Sequence, residues 1–207
     1  VILGAMALTL SLAVPMTVQA EENGTDMVLA AKSVAVIGDS TFIHSGVTGI
    51  IDIAYNQGIS TVIVLDNSIT GMTGHQQNPT TGYTIKGDPT AAVDLTALAK
   101  ACGIQRVRVV DPYDLAAVEA AVKEELAVKE PSMIISRRPC ALLKYVKRKP
   151  AVKVDADKCT GCKACMRIGC PAISMKDKKS LIDFTQCVGC GVCQQMCKFD
   201  AIGAGEE

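Results

Sequence analysis

Ten of the 207 residues are cysteines, and eight of them fall between Cys159 and Cys197. Cys159, Cys162 and Cys165 follow a C-x2-C-x2-C spacing, with Cys170-Pro171 behind them. Cys187, Cys190 and Cys193 repeat that spacing, and Cys197 follows after three residues. A duplicated four-cysteine run has three chemical uses. Pairwise disulfides would be strained, because cysteines three apart in a tight loop converge on one point. Zinc uses C-x2-C pairs but does not ask for a third cysteine at the same step. Three thiolates at i, i+3 and i+6 instead wrap three corners of a [4Fe–4S] cubane, and the fourth cysteine of each run ligates the other cluster. The expected sets are Cys159, Cys162, Cys165 and Cys197 for cluster one, and Cys187, Cys190, Cys193 and Cys170 for cluster two. The first run has one extra residue before Cys170, which lengthens the crossing loop. Gly161, Gly189 and Gly191 keep the loops small and free to point amides at the sulfurs. Cys102 reads as a core residue, and Cys140 has no assigned role.

A second constellation offers hard oxygens. The run SVAVIG ends in Gly38-Asp39-Ser40, TVIVLD ends in Asp66-Asn67, and Ile69 lies two residues further on. In a parallel sheet both points fall at carboxyl ends of strands, where α/β proteins bind ligands. The Asp39 carboxylate, the Asn67 side-chain oxygen and the Ile69 backbone carbonyl would suit Mg²⁺ beside phosphate oxygens. The helix after Gly38 turns its N-terminus toward that phosphate. The simpler use of Asp39 is a helix N-cap. His44 and His75 are the only histidines. Either has the chemistry to bond a substrate carboxylate or shuttle a proton, or to serve on the surface.

These residues need elements to hold them. Ser33–Gly38 is a short β-branched run of the kind buried on both faces. A helix follows, with Val47, Ile50, Ile51 and Ala54 at helical spacing. Thr61–Asp66 is a second strand, and a long loop of Gly, Thr and Asn runs to about Lys86. Asp88-Pro89 and Asp111-Pro112 each read as a helix start, Asp as N-cap and Pro at the first position. Leu95, Leu98, Ala99 and Cys102 give the first of these helices its apolar face, and the second is expected to reach about Lys129. Arg106–Val110 and Ser132–Ser136 are the third and fourth strands. Alternating strands and helices predict an α/β domain with a mainly parallel sheet. The basic stretch from Arg137 to Lys153 reads as a linker, with a docking surface for an acidic partner as the alternative.

The segments GDST (Gly38–Thr41) and LDNSITGMTGHQ (Leu65–Gln76), with eight ordered cysteines behind them, resemble the 2-oxoacid:ferredoxin oxidoreductases. The order of thiamine-diphosphate domain and fused two-cluster module is most similar to the C-terminal part of the alpha subunit in the indolepyruvate branch of that family. Ser40 stands where the family signature usually has a third-position Gly. The resemblance covers about Ser33 to Gly205, and the opening LGAM is similar to a small-residue segment packed beside the cofactor. It implies domains at 1–136 (thiamine diphosphate), 137–153 (linker) and 154–207 (an α+β two-[4Fe–4S] ferredoxin-like module). It further implies that Gly38, Asp39, Ser40, Thr41, Asn67 and Ile69 bind thiamine diphosphate and Mg²⁺. The implied activity is oxidative decarboxylation of an aryl 2-oxo acid such as indolepyruvate, the acyl group passing to coenzyme A. Electrons pass singly through the clusters to ferredoxin, and a beta subunit completes the complex. Pyruvate and branched-chain 2-oxo acids are the neighbouring substrate classes, and a non-catalytic electron carrier is the competing class. The family activates its cofactor with a glutamate on a pyrimidine-binding domain. Glu21 and Glu22 are poor matches for it, so the chain alone is expected to bind cofactor poorly.

Composition agrees. Apolar residues are 49% and charged residues 20%, enough for a core. Lys+Arg and Asp+Glu both total 21, which argues against general binding of nucleic acid or a membrane surface. Aromatics are 3% with no Trp, leaving few residues to stack on bases. The first twenty residues carry no charge. They read as an edge of a truncated domain, a signal peptide ending in V-Q-A, or a marginal membrane span. Asn23-Gly24-Thr25 is a glycosylation triplet that matters only in a secreted chain. Iron–sulfur ligation by free thiols favours a reducing cytoplasm.

Overall fold

The computed structural model describes residues 32–205. The alternatives for the uncharged opening, the LGAM match, Glu21, Glu22 and the Asn23 triplet lie outside the described residues. Two compact units form. The first takes 32–111 and 116–140 of the described residues, the second 112–115 and 141–205. The basic stretch is thus shared: 137–140 belong to the first unit and 141–153 to the second.

In the first unit, β1 (Val34–Gly38), β2 (Thr61–Asp66), β3 (Arg106–Val110) and β4 (Ser132–Arg137) form one parallel sheet in the order β1-β2-β4-β3. The expected α/β class with a parallel sheet is observed. Central strands β2 and β4 are buried on both faces, as their unbroken Val/Ile/Met runs require. One face packs Val62, Val64, Met133 and Ile135 against Phe42 and Ile50 of the first helix and Leu95 and Ala99 of the second. On the other face lie Val118, Ala121 and Glu125 of α3 (Leu115–Ala127), and the Thr61 hydroxyl donates to the Glu125 carbonyl. The Glu125 carboxylate is fully buried and is held two-pronged by Arg106, at 2.9 and 3.1 Å. That satisfies a group that would otherwise be costly to bury.

Three expectations need correction. The run ending at Gly38 is not buried on both faces. It is an edge strand, and Val36 is 44% exposed. The helix expected at Asp88-Pro89 begins at Leu95 instead, as α2 (Leu95–Ala101). Its cap is Asp94, whose carboxylate accepts from the amides of Thr96 and Ala97 at 2.8 and 3.2 Å. Asp88 and Pro89 close a loop, with Asp88 bonded to Thr84 through its carbonyl and Pro89 bridged to Tyr83. Asp111 likewise caps no helix. Its carboxylate holds the Arg138 guanidinium, and α3 starts at Leu115 and ends at Ala127. An Asp-Pro pair serves a turn as readily as a helix start.

The first helix, α1, is one continuous rod. Asp39–Thr41 is α-helical, Phe42–Gly46 is π-helical and Val47–Tyr55 is α-helical again. A π stretch in mid-helix frequently accompanies a functional site, and this one begins three residues after Asp39. Ile50 is buried, whereas Ile51, expected on the same face, is 47% exposed.

The second unit is built from short pieces. Strands β5 (Lys153–Val154) and β8 (Ile202–Gly203) pair antiparallel, as do β6 (Ile173–Lys176) and β7 (Lys179–Ile182). A 3-10 turn at Ala164–Ile168 and the short helix α4 (Val192–Gln195) complete it. Its apolar core is small: Val152, Ile168, Ile173, Val192 and Ile202 close around Cys165 and Cys193. A core of that size needs a staple, and metal–thiolate bonds are one such staple. Among the described residues no helix is long and apolar enough to cross a membrane.

Candidate functional site

Asp39 opens α1 directly after β1, and Asn67 follows β2 directly. The two strands are hydrogen-bonded neighbours in register, Gly38 opposite Leu65, so both residues lie at one carboxyl edge. Asp39 is 2% exposed. Its Oδ1 accepts from the Ser40 amide at 2.8 Å, and its Oδ2 from the Asn78 amide and the Thr80 hydroxyl at 3.4 and 3.5 Å. Burial pushes the Asp39 carboxyl up, and the Asp66 carboxylate adds to this against the pull of those donors. Asp66 is itself ion-paired with Arg137 at 2.7 Å. The hydrogen-bond partners of Asp39 are neutral: the Ser40 amide, the Asn78 side-chain amide and the Thr80 hydroxyl. The donor chemistry therefore fits a cation at Asp39: a buried carboxylate with only neutral partners is where one lowers the energy most.

The remaining expected residues surround it to different degrees. The Asn67 side-chain oxygen accepts from the Ile69 amide at 3.1 Å, which fixes its direction. The Ile69 side chain is buried and anchors the turn, in which Ser68 has a φ of 59°. The Ser40 hydroxyl accepts from Thr70 at 2.9 Å. Gly38 is half-buried and Thr41 is exposed. His44, in the π stretch, and His75, at a positive φ, are both exposed and stand outside the hydrogen-bonded ring around Asp39.

Asn78 and Thr80 are site residues that the sequence reading misses. They come back to Asp39 from the long loop, in which the Asn78 side chain also accepts from Thr80 to make an Asx turn. The N-P-T triplet at 78–80 is the available signal, since Asn before Pro favours such a turn. Arg137, read as the start of a linker, closes the site from β4. The residues after it, Arg138 and Cys140, donate backbone bonds to the carbonyls of Asp66 and Asn67.

In the second unit the eight cysteines sort into two groups. Cys159, Cys162, Cys165 and Cys197 line one small cavity together with Ser180 and Phe199. Cys170, Cys187, Cys190 and Cys193 form the other group, in which the first, second and third bear electrostatically on the fourth. These groups have the composition expected from the crossed ligation. The extra residue of the first run is absorbed by Gly169, which ends the 3-10 turn in the left-handed conformation at φ 62° and redirects the chain into Cys170. Among the described residues no three His, Cys, Asp or Glu side chains converge as around a single ion. Four thiols bordering a cavity suit a cubane better than zinc.

The two runs share a backbone device. Gly161 (φ 71°) and Gly189 (φ 67°) stand one residue before the second cysteine of each run. A Cβ on Gly161 would lie 2.1 Å from the Lys178 carbonyl oxygen, and one on Gly189 would lie 2.5 Å from those of Lys149 and Pro150. Both sites demand glycine twice over, by conformation and by space.

Sulfur electrostatics differ between the groups. The Ser180 amide donates to Cys159 at 3.5 Å and holds that thiol below its ordinary range. The Ser180 hydroxyl lies 3.2 Å from Cys165, and the Ala201 amide donates to Cys197 at 3.4 Å. In the other group burial pushes Cys190 up and Cys193 up to about 12. Such thiols stay protonated unless a bound cation draws the protons off.

Donors to cluster sulfurs favour the more negative, reduced state and raise the potential. Ser180→Ala removes the hydroxyl and keeps the amide. It is expected to lower the cluster-one midpoint by roughly 30–60 mV, about a three- to tenfold change in the reduction equilibrium. Cluster two should be unchanged. A redox titration followed by electron paramagnetic resonance checks this, and equal shifts in both clusters would refute it.

Comparison with known proteins finds a described domain in each part of the chain. Residues 1–136 match the family described as thiamine pyrophosphate enzyme, C-terminal TPP binding domain, and residues 151–198 match the 4Fe-4S dicluster domain. The chain is 45% identical over 177 residues to indolepyruvate oxidoreductase subunit IorA of Thermococcus kodakarensis, covering 81% of this chain and 27% of that protein. It is 43% identical over 176 residues to the same subunit of Pyrococcus abyssi, covering 81% and 27%. The figures for Archaeoglobus fulgidus are 38% over 185 residues, covering 87% and 30%. The chain thus spans less than a third of the length of the relatives it matches. The resemblance read from the GDST and LDN segments and the cysteine runs is borne out, and the chain belongs to the thiamine pyrophosphate enzyme family, carrying its C-terminal TPP-binding domain ahead of a 4Fe–4S dicluster domain.

Proposed function

We propose that this chain is the cofactor-and-cluster portion of a 2-oxo acid:ferredoxin oxidoreductase acting on aryl 2-oxo acids such as indolepyruvate. The observation that carries the reading is Asp39, a buried carboxylate at a sheet edge whose described partners are neutral, in the same chain as two four-cysteine groups. Asp39, the Asn67 side-chain oxygen and the Ile69 carbonyl are the ligands proposed for Mg²⁺. Gly38, Ser40 and Thr41 present the start of α1 to the diphosphate, with Ser40 held in place by Thr70. When bound, thiamine diphosphate supplies the electron sink for decarboxylation. The protein's own part is to hold the metal, orient the diphosphate and keep the cluster thiolates in place. Coenzyme A as acyl acceptor, a beta subunit, a ferredoxin acceptor and a cytoplasmic setting complete the proposal.

The test uses the anaerobically purified full-length protein with its partner subunit. Reduction of ferredoxin or viologen by indolepyruvate is followed with and without coenzyme A and thiamine diphosphate. A requirement for thiamine diphosphate with a preference for aryl 2-oxo acids supports the reading. A preference for pyruvate or branched-chain acids moves the substrate class. No reduction by any 2-oxo acid, in a preparation fully loaded with iron and sulfide, leaves an electron carrier.

A further inference from the structure

The second unit carries a groove of about 1290 Å³ beside the cavity of the cluster-one cysteines. Among the described residues its walls carry Arg148, Lys149, Lys153, Lys176 and Lys179 against the carboxylate of Asp177. The chain as a whole is neutral, so this is a local concentration of positive charge. The nearby carboxylates Asp155 and Asp183 accept from amides of their own loops. Leu181 and Phe184, 50% and 78% exposed, add an apolar centre. An apolar centre with a charged rim is the anatomy of a protein-docking surface.

The groove is also joined to cluster one. Ser180 lines both the groove and the cluster-one cavity, and its amide and hydroxyl reach Cys159 and Cys165. Lys179, on the same wall, donates to the Cys159 carbonyl. Cys162 of this group is exposed, whereas none of the cluster-two cysteines is. The loop of Gly189 in the second run also lies against Lys149 and Pro150 of the groove, but the direct hydrogen-bonded route from a groove residue to cluster sulfurs runs through Ser180 to cluster one.

We infer that this groove docks an acidic one-electron carrier protein and makes cluster one the electron exit. The inference rests on the clusters named under the proposed function and adds the surface and the direction. The step balances simply. A reduced [4Fe–4S] cluster gives up one electron, the oxidised carrier gains it, and no bond or proton changes place.

The test bypasses the decarboxylation. The full complex, loaded with both clusters, is reduced with dithionite and mixed in a stopped-flow cell with an oxidised acidic ferredoxin. Basic cytochrome c and the small neutral acceptor metronidazole serve as controls. Lys153→Glu/Lys176→Glu is expected to slow transfer to the ferredoxin at least tenfold at low salt. The difference should vanish by about 0.5 M salt, where screening is nearly complete. Transfer to metronidazole should hold, and transfer to cytochrome c should not slow. An unchanged ferredoxin rate would overturn the inference. So would a variant that no longer assembles with its partner, because the groove would then be a subunit contact. Failure of the proposed function looks different: 2-oxo acids leave the clusters oxidised while dithionite-driven transfer proceeds.

Discussion

Asp39→Asn is expected to weaken Mg²⁺-dependent binding of thiamine diphosphate by at least about 100-fold while leaving the metal-free protein no less stable. The magnitude follows from position. Outer-shell groups around metals already account for about 10–100-fold in affinity, and a charged ligand exceeds them. The sign of the stability effect follows from burial. The carboxyl is pushed above its ordinary value of 3.8, chiefly by desolvation. In the metal-free state the folded chain holds this proton more tightly than the unfolded chain. Stability therefore falls as pH rises from the unfolded value through the folded one. The amide of the variant does not titrate, so that slope should be absent from it. Mg²⁺ should reverse the slope in the native protein by favouring the carboxylate. Isothermal titration with Mg²⁺ and the cofactor on the full complex measures the first effect. Denaturant unfolding across pH without metal measures the second. Cofactor binding that survives the substitution would remove Asp39 from the metal site.

Cys197→Ala and Cys170→Ala should each cost one cluster, and each should cost the cluster of the opposite run. Loss of Cys197 opens the cavity it shares with Cys159, Cys162 and Cys165. Iron and sulfide should fall by half in either variant. The surviving cluster identifies the ligand set. After Cys170→Ala it should be the one whose potential responds to Ser180→Ala, because the cysteines that Ser180 bonds are Cys159 and Cys165. After Cys197→Ala that response should be gone. The reverse outcome would mean that each run closes on its own cluster.

How far residues alone disclose this architecture depends on the range of the interaction involved. The limits of β2 are legible because a buried parallel strand must be an unbroken run of apolar, largely β-branched residues. β1 has the same composition yet lies at the sheet edge, and strand order is not written in any one strand. Helix starts expected at Asp88 and Asp111 fail because the same dipeptide builds turns, and because Asp111 is claimed by Arg138 just past β4. Asp39 and Asn67 are visible through their strand-end positions. Asn78, Thr80 and Arg137 are not, since each reaches the site across many residues and has no spacing to betray it. Ser180 escapes for the same reason. The cysteine runs are legible because duplication repeats their spacing, and the extra residue before Cys170 needs only a left-handed Gly169.

The crossed cysteine groups also set an order of events for a chain that begins unfolded. Cys170 and Cys187 bound the shorter closure, and they lie wholly inside the longer one from Cys165 to Cys197. The two closures are nested, like one ring tied within another. Tying the inner ring first shortens the free chain that the outer ring must then span, and the entropic cost of closure grows with that length. The inner ring belongs to the group in which burial pushes the Cys190 and Cys193 thiols up, so metal binding there must also displace firmly held protons. The cheaper loop is thus guarded by the harder deprotonation. Each repeat lends its fourth cysteine to the other group, so neither repeat alone carries a complete set of four.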